Sequence, residues 1–241
     1  MLVTGASSGI GRETAIVLSE LGARVIVTGR RMDQLETTLG RMVAGGHAIE
    51  AFDLTDLEAV PVWIKTVAQR HGPLNGLVHA AGLRTTVGLR GLSVQTLHET
   101  FRVNLDSAVM LSKGFRQKGC CATPASVVLF SSVAAFVGSP ATSAYAASKG
   151  AVIGLTRSLA SELAREGIRV NCIAPGMVQS EMTEHFRRTL TEDQFAAIVA
   201  RHPLGLGSPW DVACAAAYLL SEASRWMTGH THVIDGGFSA Q

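Results

Sequence analysis

The chain has little charge, few aromatic rings and few cysteines. Charged residues make up 17% and aromatics 5% of 241 residues, against 47% hydrophobic. That balance excludes a disordered polyelectrolyte and leaves enough apolar surface for a sizeable core. Lysine is nearly absent: four lysines stand against seventeen arginines, and the net charge is +2. No basic stripe follows from this, so no nucleic-acid partner is expected. The four cysteines, Cys120, Cys121, Cys172 and Cys214, form no C-x-x-C pair and have no histidine at zinc spacing. Neither a disulfide framework nor a metal site is expected. Cys172 and Cys214 lie in apolar runs and read as buried small hydrophobes, while Cys120-Cys121 falls in an expected loop. No run reaches the roughly 18 apolar residues of a membrane span. Leu2-Val3-Thr4-Gly5 opens the chain without a basic region and a long apolar stretch, so a cytoplasmic protein without membrane contact is expected. Seven prolines make no linker and 25 glycines make no repeat, which predicts one domain over 1–241.

What is present is alternation. Short Val/Ile/Leu-rich runs at 2–4, 24–28, 47–51, 76–79, 126–131, 169–174 and 232–234 are separated by helical patterns near 11–18, 33–44, 56–71, 94–118, 143–165 and 209–221. Near-continuous apolar strands, each followed by a helix, predict a doubly wound α/β fold: a parallel seven-stranded sheet flanked by helices, Rossmann-like, in a single domain. Ligands of such sheets bind at the carboxyl ends of the strands. Residues 177–208 break the rhythm with no strand, and predict a substrate lid whose Phe186, Leu190, Phe195 and Ile198 line a pocket.

The first strand runs into Thr4-Gly5-Ala6-Ser7-Ser8-Gly9-Ile10-Gly11 and then a helix. Glycines here let the chain turn tightly, let the backbone approach a pyrophosphate, and let the helix pack close to the sheet. The phosphates then meet free N–H groups at the positive end of a helix. The second strand ends Val27-Thr28-Gly29-Arg30-Arg31, with no carboxylate at its end. Two guanidiniums there match a 2′-phosphate in charge and fork geometry, so NADP(H) is favoured over NAD(H). The nearest acid, Asp33, reads as part of a capping box with Glu36 that opens the next helix. Arg12 is a further candidate for the phosphates or a solvated helix residue.

Tyr145 and Lys149 are four apart in a strong helical pattern, which places them on one face. A nearby ammonium and an oxidised nicotinamide would both favour phenolate, making the tyrosine a general acid/base. Ser132 lies 13 residues earlier, at the end of an expected strand.

The spacing T-G-x-x-x-G-x-G, with Asp53-Leu54, His79-Ala80-Ala81-Gly82, Asn104, Ser131-Ser132, Tyr145-x-x-x-Lys149, Pro175-Gly176, and Thr228-Gly229 with Asp235-Gly236-Gly237, resembles the short-chain dehydrogenase/reductase family over essentially the whole chain. Within it, the pattern is most similar to the 3-oxoacyl-(acyl-carrier-protein) reductase branch. The resemblance implies Asn104, Ser132, Tyr145 and Lys149 as catalytic residues, with Ser132 preferred to Ser131 as orienter of the substrate oxygen. Tyr145 would give or take the proton, Lys149 would lower its pKa and anchor the ribose, and Asn104 would support a proton relay.

For the cofactor the resemblance and the glycine loop together imply Gly5, Ser7, Ser8, Gly9, Ile10, Gly11, Arg30, Arg31, Asp53, Leu54, Ala80, Ala81, Gly82, Tyr145, Lys149, Pro175, Gly176, Val178 and Ser180. His79-Ala80 departs from the family's usual Asn-Asn, and His79 reads as a satisfied core histidine. Asn171 fits a family slot whose role is not separable from strand-end satisfaction.

The expected activity is hydride transfer between NADP(H) and a carbonyl or secondary alcohol, most of all 3-oxoacyl reduction. The alternatives are a sugar, polyol, steroid or other small carbonyl as substrate, or a non-catalytic nicotinamide-binding regulator. The pocket is expected between Val133–Pro140 and the 177–208 segment, made apolar by Phe136, Val137, Met177 and Phe186. A thioester substrate on a carrier protein is weakly signalled, since the relatives' basic docking positions read Thr123-Pro124 and Arg165-Glu166. The stripe Leu97, Phe101, Leu105, Ala108 and Leu111, the small residues Ala147, Gly150, Ala151, Gly154 and Ser158, and the run Thr231–Phe238 imply a homotetramer or dimer, as the family pairs these elements across two-fold axes.

Overall fold

The computed structural model describes residues 1–240. Seven parallel strands form one sheet in the order β3-β2-β1-β4-β5-β6-β7: β1 (Leu2–Thr4), β2 (Ile26–Thr28), β3 (Ala48–Ile49), β4 (Leu74–His79), β5 (Cys121–Phe130), β6 (Ile168–Pro175) and β7 (Thr231–Ile234). The helices are α1 (Gly9–Glu20), α2 (Met32–Arg41), α3 (Val60–His71), α4 (Val94–Phe101), α5 (Ser107–Phe115), α6 (Ser143–Leu163), α7 (Glu181–Arg187), α8 (Glu192–Ala200) and α9 (Pro209–Leu220).

Strand alternation splits the core in two. Leu2, Leu77, Val127 and Val170 face α3, α5 and α6, where they meet Ile64, Leu111, Phe115 and Leu163. Val3, Val27, Val78 and Val128 face α1, α2 and α9, where they meet Ile16, Leu35, Val212 and Leu219. Burial on both faces is why these strands read as unbroken apolar runs.

Three local readings need correction. The expected helix at 94–118 is broken: a π turn over Arg102–Asp106 separates α4 from α5, which ends at Phe115. The helix after β2 starts at Met32 with Arg31 as its cap residue, and the Asp33–Glu36 capping box does not form. Asp33 instead lies in the first turn, accepting from the Gln34 side chain at 3.1 Å. Cys120 is buried in the turn before β5 and Cys121 opens that strand, so only the first of the pair lies in the expected loop, whereas Cys214 is only half-buried.

The 177–208 segment leaves and rejoins the body at one neck. Val178 and Gly207 form a parallel bridge, with Gln179 N donating to Gly207 O at 2.8 Å and Gly207 N to Met177 O at 3.1 Å. Between them α7 and α8 carry no buried residue.

Candidate active site and cofactor cleft

The strand order reverses direction between β1 and β4, and a cleft of about 330 Å³ opens at the carboxyl ends there. Its floor is the glycine turn. Gly5 has φ +66°, and a Cβ on it would lie 2.6 Å from Ala81 N; a Cβ on Gly11 would collide with the Gly5 carbonyl. Backbone packed this closely leaves the cleft free for a flat, extended ligand. Around the turn the cleft is lined by Ser7, Ser8, Gly9, Ile10, Arg30, Arg31, Asp53, Leu54, Ala80, Ala81, Gly82 and Ser180. A cradle of glycine backbone, a helix N-terminus and two guanidiniums fits a dinucleotide carrying an extra phosphate. The expected Pro175 and Val178 do not line it: Pro175 ends β6 in pairing with Ile234, and Val178 is held in the neck.

Asp53 accepts from Thr55 N at 3.0 Å and Thr55 Oγ1 at 2.9 Å. These bonds hold its carboxyl below the usual carboxylate range, so it stays ionised at the rim. Arg12 is not a free phosphate ligand. It donates to Thr38 Oγ1, Gln34 Oε1, Ser7 O and Glu181 Oε1, which ties α1 to α2 and to the lid.

A second cavity of about 110 Å³ contains Ser132, Tyr145 and Gly176 beneath the lid. Ser132 follows the end of β5 and caps a single 3₁₀ turn, its hydroxyl accepting from Ala134 N at 3.2 Å. Tyr145 is in the first turn of α6 and lines the same cavity as Ser132. One turn on, Lys149 is buried, its Nζ 5.9 Å from the Tyr145 ring centroid and donating to Phe130 O at 2.9 Å. A Cβ on Gly82 would stand 3.4 Å from both Lys149 Nζ and Asn104 Oδ1. Lys149 thus sits between the tyrosine and the cleft wall, although it lines neither cavity. Ser131, by contrast, turns inward and donates to Lys149 O at 2.8 Å, which locks β5 to α6.

Burial pushes the Tyr145 phenol up, opposed by the Ser132 hydroxyl and by the charge of Arg84. Burial pushes the Lys149 ammonium down to about 8. Arg84 is therefore a further cation acting on the phenol, and sequence reasoning passed over it. Its signal was available: an arginine two residues after Gly82, in the loop leaving the carboxyl end of β4, where ligands of such sheets bind.

Asn104 occupies the π turn and is buried. Its Oδ1 accepts from Leu83 N at 2.7 Å, and its Nδ2 donates to Leu83 O at 2.9 Å and Ser148 Oγ at 2.9 Å. The side chain thus clamps the loop after β4 onto α6. His79 is enclosed as expected: Nδ1 meets Thr4 Oγ1 at 2.8 Å and Nε2 meets Ser107 Oγ at 3.0 Å. Burial pushes it down to about 3, so the ring is neutral. Asn171 donates to Met227 O at 2.8 Å and accepts from His230 N at 3.2 Å, which is strand-end satisfaction.

The substrate-side expectations are met in part. Val137, Met177, Phe186 and Ile198 line the second cavity, whereas Phe136, Leu190 and Phe195 do not. Phe136 is 52% exposed, and Phe195 lies against Arg187 on the lid. Nor is the cavity simply apolar, because Arg84 and Arg201 line it too.

Comparison with known proteins agrees with this architecture. The family described as Enoyl-(Acyl carrier protein) reductase matches residues 5–239. The 3-oxoacyl-(acyl-carrier-protein) reductase FabG of Rickettsia conorii is 35% identical over 238 residues, covering 98% of this chain and 95% of that relative. Among solved structures, a variant of the actinorhodin polyketide ketoreductase with NADPH superimposes with a TM-score of 0.93 at 30% identity, over 100% of this chain and 97% of the other. A structure described as an NAD(P)-dependent gluconate 5-dehydrogenase of Beutenbergia cavernae, with bound NADP, gives 0.91 at 36% identity, over 100% and 96%. The chain belongs to the short-chain dehydrogenase/reductase family and is an NAD(P)-dependent oxidoreductase acting on a carbonyl or its alcohol.

Proposed function

We propose that this chain reduces the ketone of a 3-oxoacyl compound with NADPH, or oxidises the matching 3-hydroxyacyl compound with NADP. The observation that carries the reading is that Ser132 and Tyr145 line one cavity beside the glycine-floored cleft, with Lys149 between that tyrosine and the cleft wall. The similarity to FabG and to a ketoreductase supports the 3-oxoacyl class. Arg30 and Arg31 on the cleft wall support the phosphorylated cofactor.

The bound cofactor supplies or takes the hydride at the carbonyl carbon. Ser132 Oγ and Tyr145 Oη hold the substrate oxygen from one side, which fixes the carbon in place. Tyr145 transfers the proton to that oxygen during reduction. The Ser132 hydroxyl and the Arg84 guanidinium oppose the burial that raises the phenol, and the charge of an oxidised nicotinamide would act in the same sense. Lys149, at about 8, is a proton reservoir one turn away. Asn104 positions the Leu83 loop and α6, and its relay role rests on the wider π turn in which it sits.

A small oxo or hydroxy compound, such as a sugar acid, is a second reading. It is favoured by the guanidiniums in the cavity and by the similarity to the Beutenbergia protein. The experiment is a turnover assay at 340 nm with a panel of 3-oxoacyl thioesters, oxo acids, sugars and simple ketones, each against NADPH and NADH. Oxidation of NADPH by at least one carbonyl is expected. No turnover with any carbonyl would favour a non-catalytic nicotinamide-binding protein.

A further inference from the structure

The placement of Arg84 goes beyond its effect on the Tyr145 phenol. The residue leaves the loop after β4, is half-buried, and lines the cavity that holds Ser132 and Tyr145. Its guanidinium carbon lies over the Phe186 ring, 3.9 Å from the centroid, and so against α7. Its Nε is buried without a hydrogen-bond partner. Among the described residues that line the cavity there is no aspartate or glutamate to pair with it.

A guanidinium held away from water without a counter-ion is costly, because its N–H groups lose hydration and gain nothing. Stacking on an aromatic face recovers part of this and leaves the N–H edge pointing sideways, available to an acceptor. His202 is already satisfied: its Nε2 accepts from Met177 N at 3.3 Å and its Nδ1 meets Ile198 O at 2.9 Å. A second guanidinium, Arg201, lies 4.4 Å from the Phe238 centroid on the same cavity. Among the described residues that line the cavity, Arg84 Nε is a buried donor without a partner, and it shares the cavity with Ser132 and Tyr145.

We propose that Arg84 is a specificity-determining residue that binds a carboxylate of the substrate, a few bonds from the reacting carbon, so that the enzyme takes free oxo acids and hydroxy acids rather than neutral acyl esters or thioesters. The inference rests on the oxidoreductase reading of this site and takes the second of its two substrate classes, the small oxo or hydroxy acid, over a 3-oxoacyl ester or thioester. A carboxylate accepts a paired bond from the guanidinium edge, which an ester cannot match in charge. Because Arg84 rests on Phe186, the same contact would draw α7 over the bound acid.

The test pairs 2-, 3-, 4- and 5-oxo acids and their hydroxy counterparts with their methyl esters and N-acetylcysteamine thioesters, assayed with NADPH or NADP. Wild-type enzyme is expected to favour the best acid over its ester at least tenfold in kcat/KM. Arg84→Met, with its folding checked by NADPH binding, is expected to lose that ratio tenfold or more, mainly through the KM of the acid. Arg84→Lys should keep part of it. A structural or phenol-tuning role for Arg84 would lower acid and ester alike, and an unchanged ratio would overturn the proposal. So would a wild type that prefers the ester or thioester, with the oxidoreductase reading still standing. If neither form of any compound turns over, both readings fall.

Discussion

Glu181 Oε2 accepts a hydrogen bond from Gly9 N at 2.9 Å, while Oε1 of the same carboxylate meets Arg12 Nη1 at 3.2 Å. Residues 172 apart in sequence are thereby joined, the lid helix α7 to the N-terminus of α1. A helix N-terminus attracts an anion, and Gly9 N–H belongs to the turn that would hold a pyrophosphate. Glu181 therefore stands where a pyrophosphate would meet this turn, and a bound cofactor would compete with it. Removing its charge in Glu181→Gln is expected to lower the Kd for NADPH about two- to fivefold, the equivalent of the roughly 0.3–1 kcal/mol of one exposed charge at a helix end. Fluorescence titration measures it. Unchanged or weaker binding would show that Glu181 does not compete.

The two adjacent serines separate chemistry from packing. Ser132→Ala and Tyr145→Phe are expected to cut kcat by about a hundredfold or more, the usual scale for acid/base contributions, with NADPH binding kept. Ser131→Ala removes the bond to Lys149 O and is expected to lower stability by about 1 kcal/mol with a milder loss of rate. If Ser131→Ala were the slower enzyme, the assignment of Ser132 would be wrong.

For cofactor choice, Arg30→Ser is expected to weaken NADPH much more than NADH. One charge-assisted contact corresponds to roughly 1.5–3 kcal/mol. A wild type that already prefers NADH would remove the basis for the two-arginine reading.

His79 makes an acid limb in stability. Its folded pKa is depressed to about 3 by burial, below the ordinary 6.5. Its contribution is complete above pH 6.5 and is lost as pH falls toward 3, because the unfolded chain takes a proton there that the folded ring refuses. His79→Asn should flatten stability over this window in urea melts at successive pH values. An unchanged acid slope would mean that other groups set it.

The assembly prediction has to be redrawn on the folded surface. Ala108 and Leu111, from the expected stripe, are fully buried inside the chain, and Leu105 packs on the same core. On α6, however, Ala147, Gly154 and Ser158 are exposed, and a Cβ on Gly150 or Gly154 would meet nothing. Light scattering is expected to give a dimer or tetramer, and Gly154→Arg should shift it to lower mass. A mass near 25.4 kDa for wild type across a concentration series would refute the interface.

The sequence by itself determined the sheet, the glycine turn and the grouping of Ser132, Tyr145 and Lys149. Each of these is written in local spacing: apolar runs buried on both faces, a Gly5–Gly11 pattern straight after one of them, and Tyr145 and Lys149 one helical turn apart. Only the tertiary structure decided how side chains far apart in sequence satisfy each other. The break at Arg102–Asp106 accompanies Asn104 reaching Leu83 and Ser148, and the Asp33 capping box gave way to bonds with Gln34. Arg12 was drawn away from the phosphate position by Glu181, and Arg84 reached the phenol because the loop after β4 and the start of α6 meet at the same end of the sheet. Periodicity records which face a residue takes within its own element. It does not record the partner that a charged or amide group finds across the fold, and in a buried site that partner sets the group's charge, its exposure and its role.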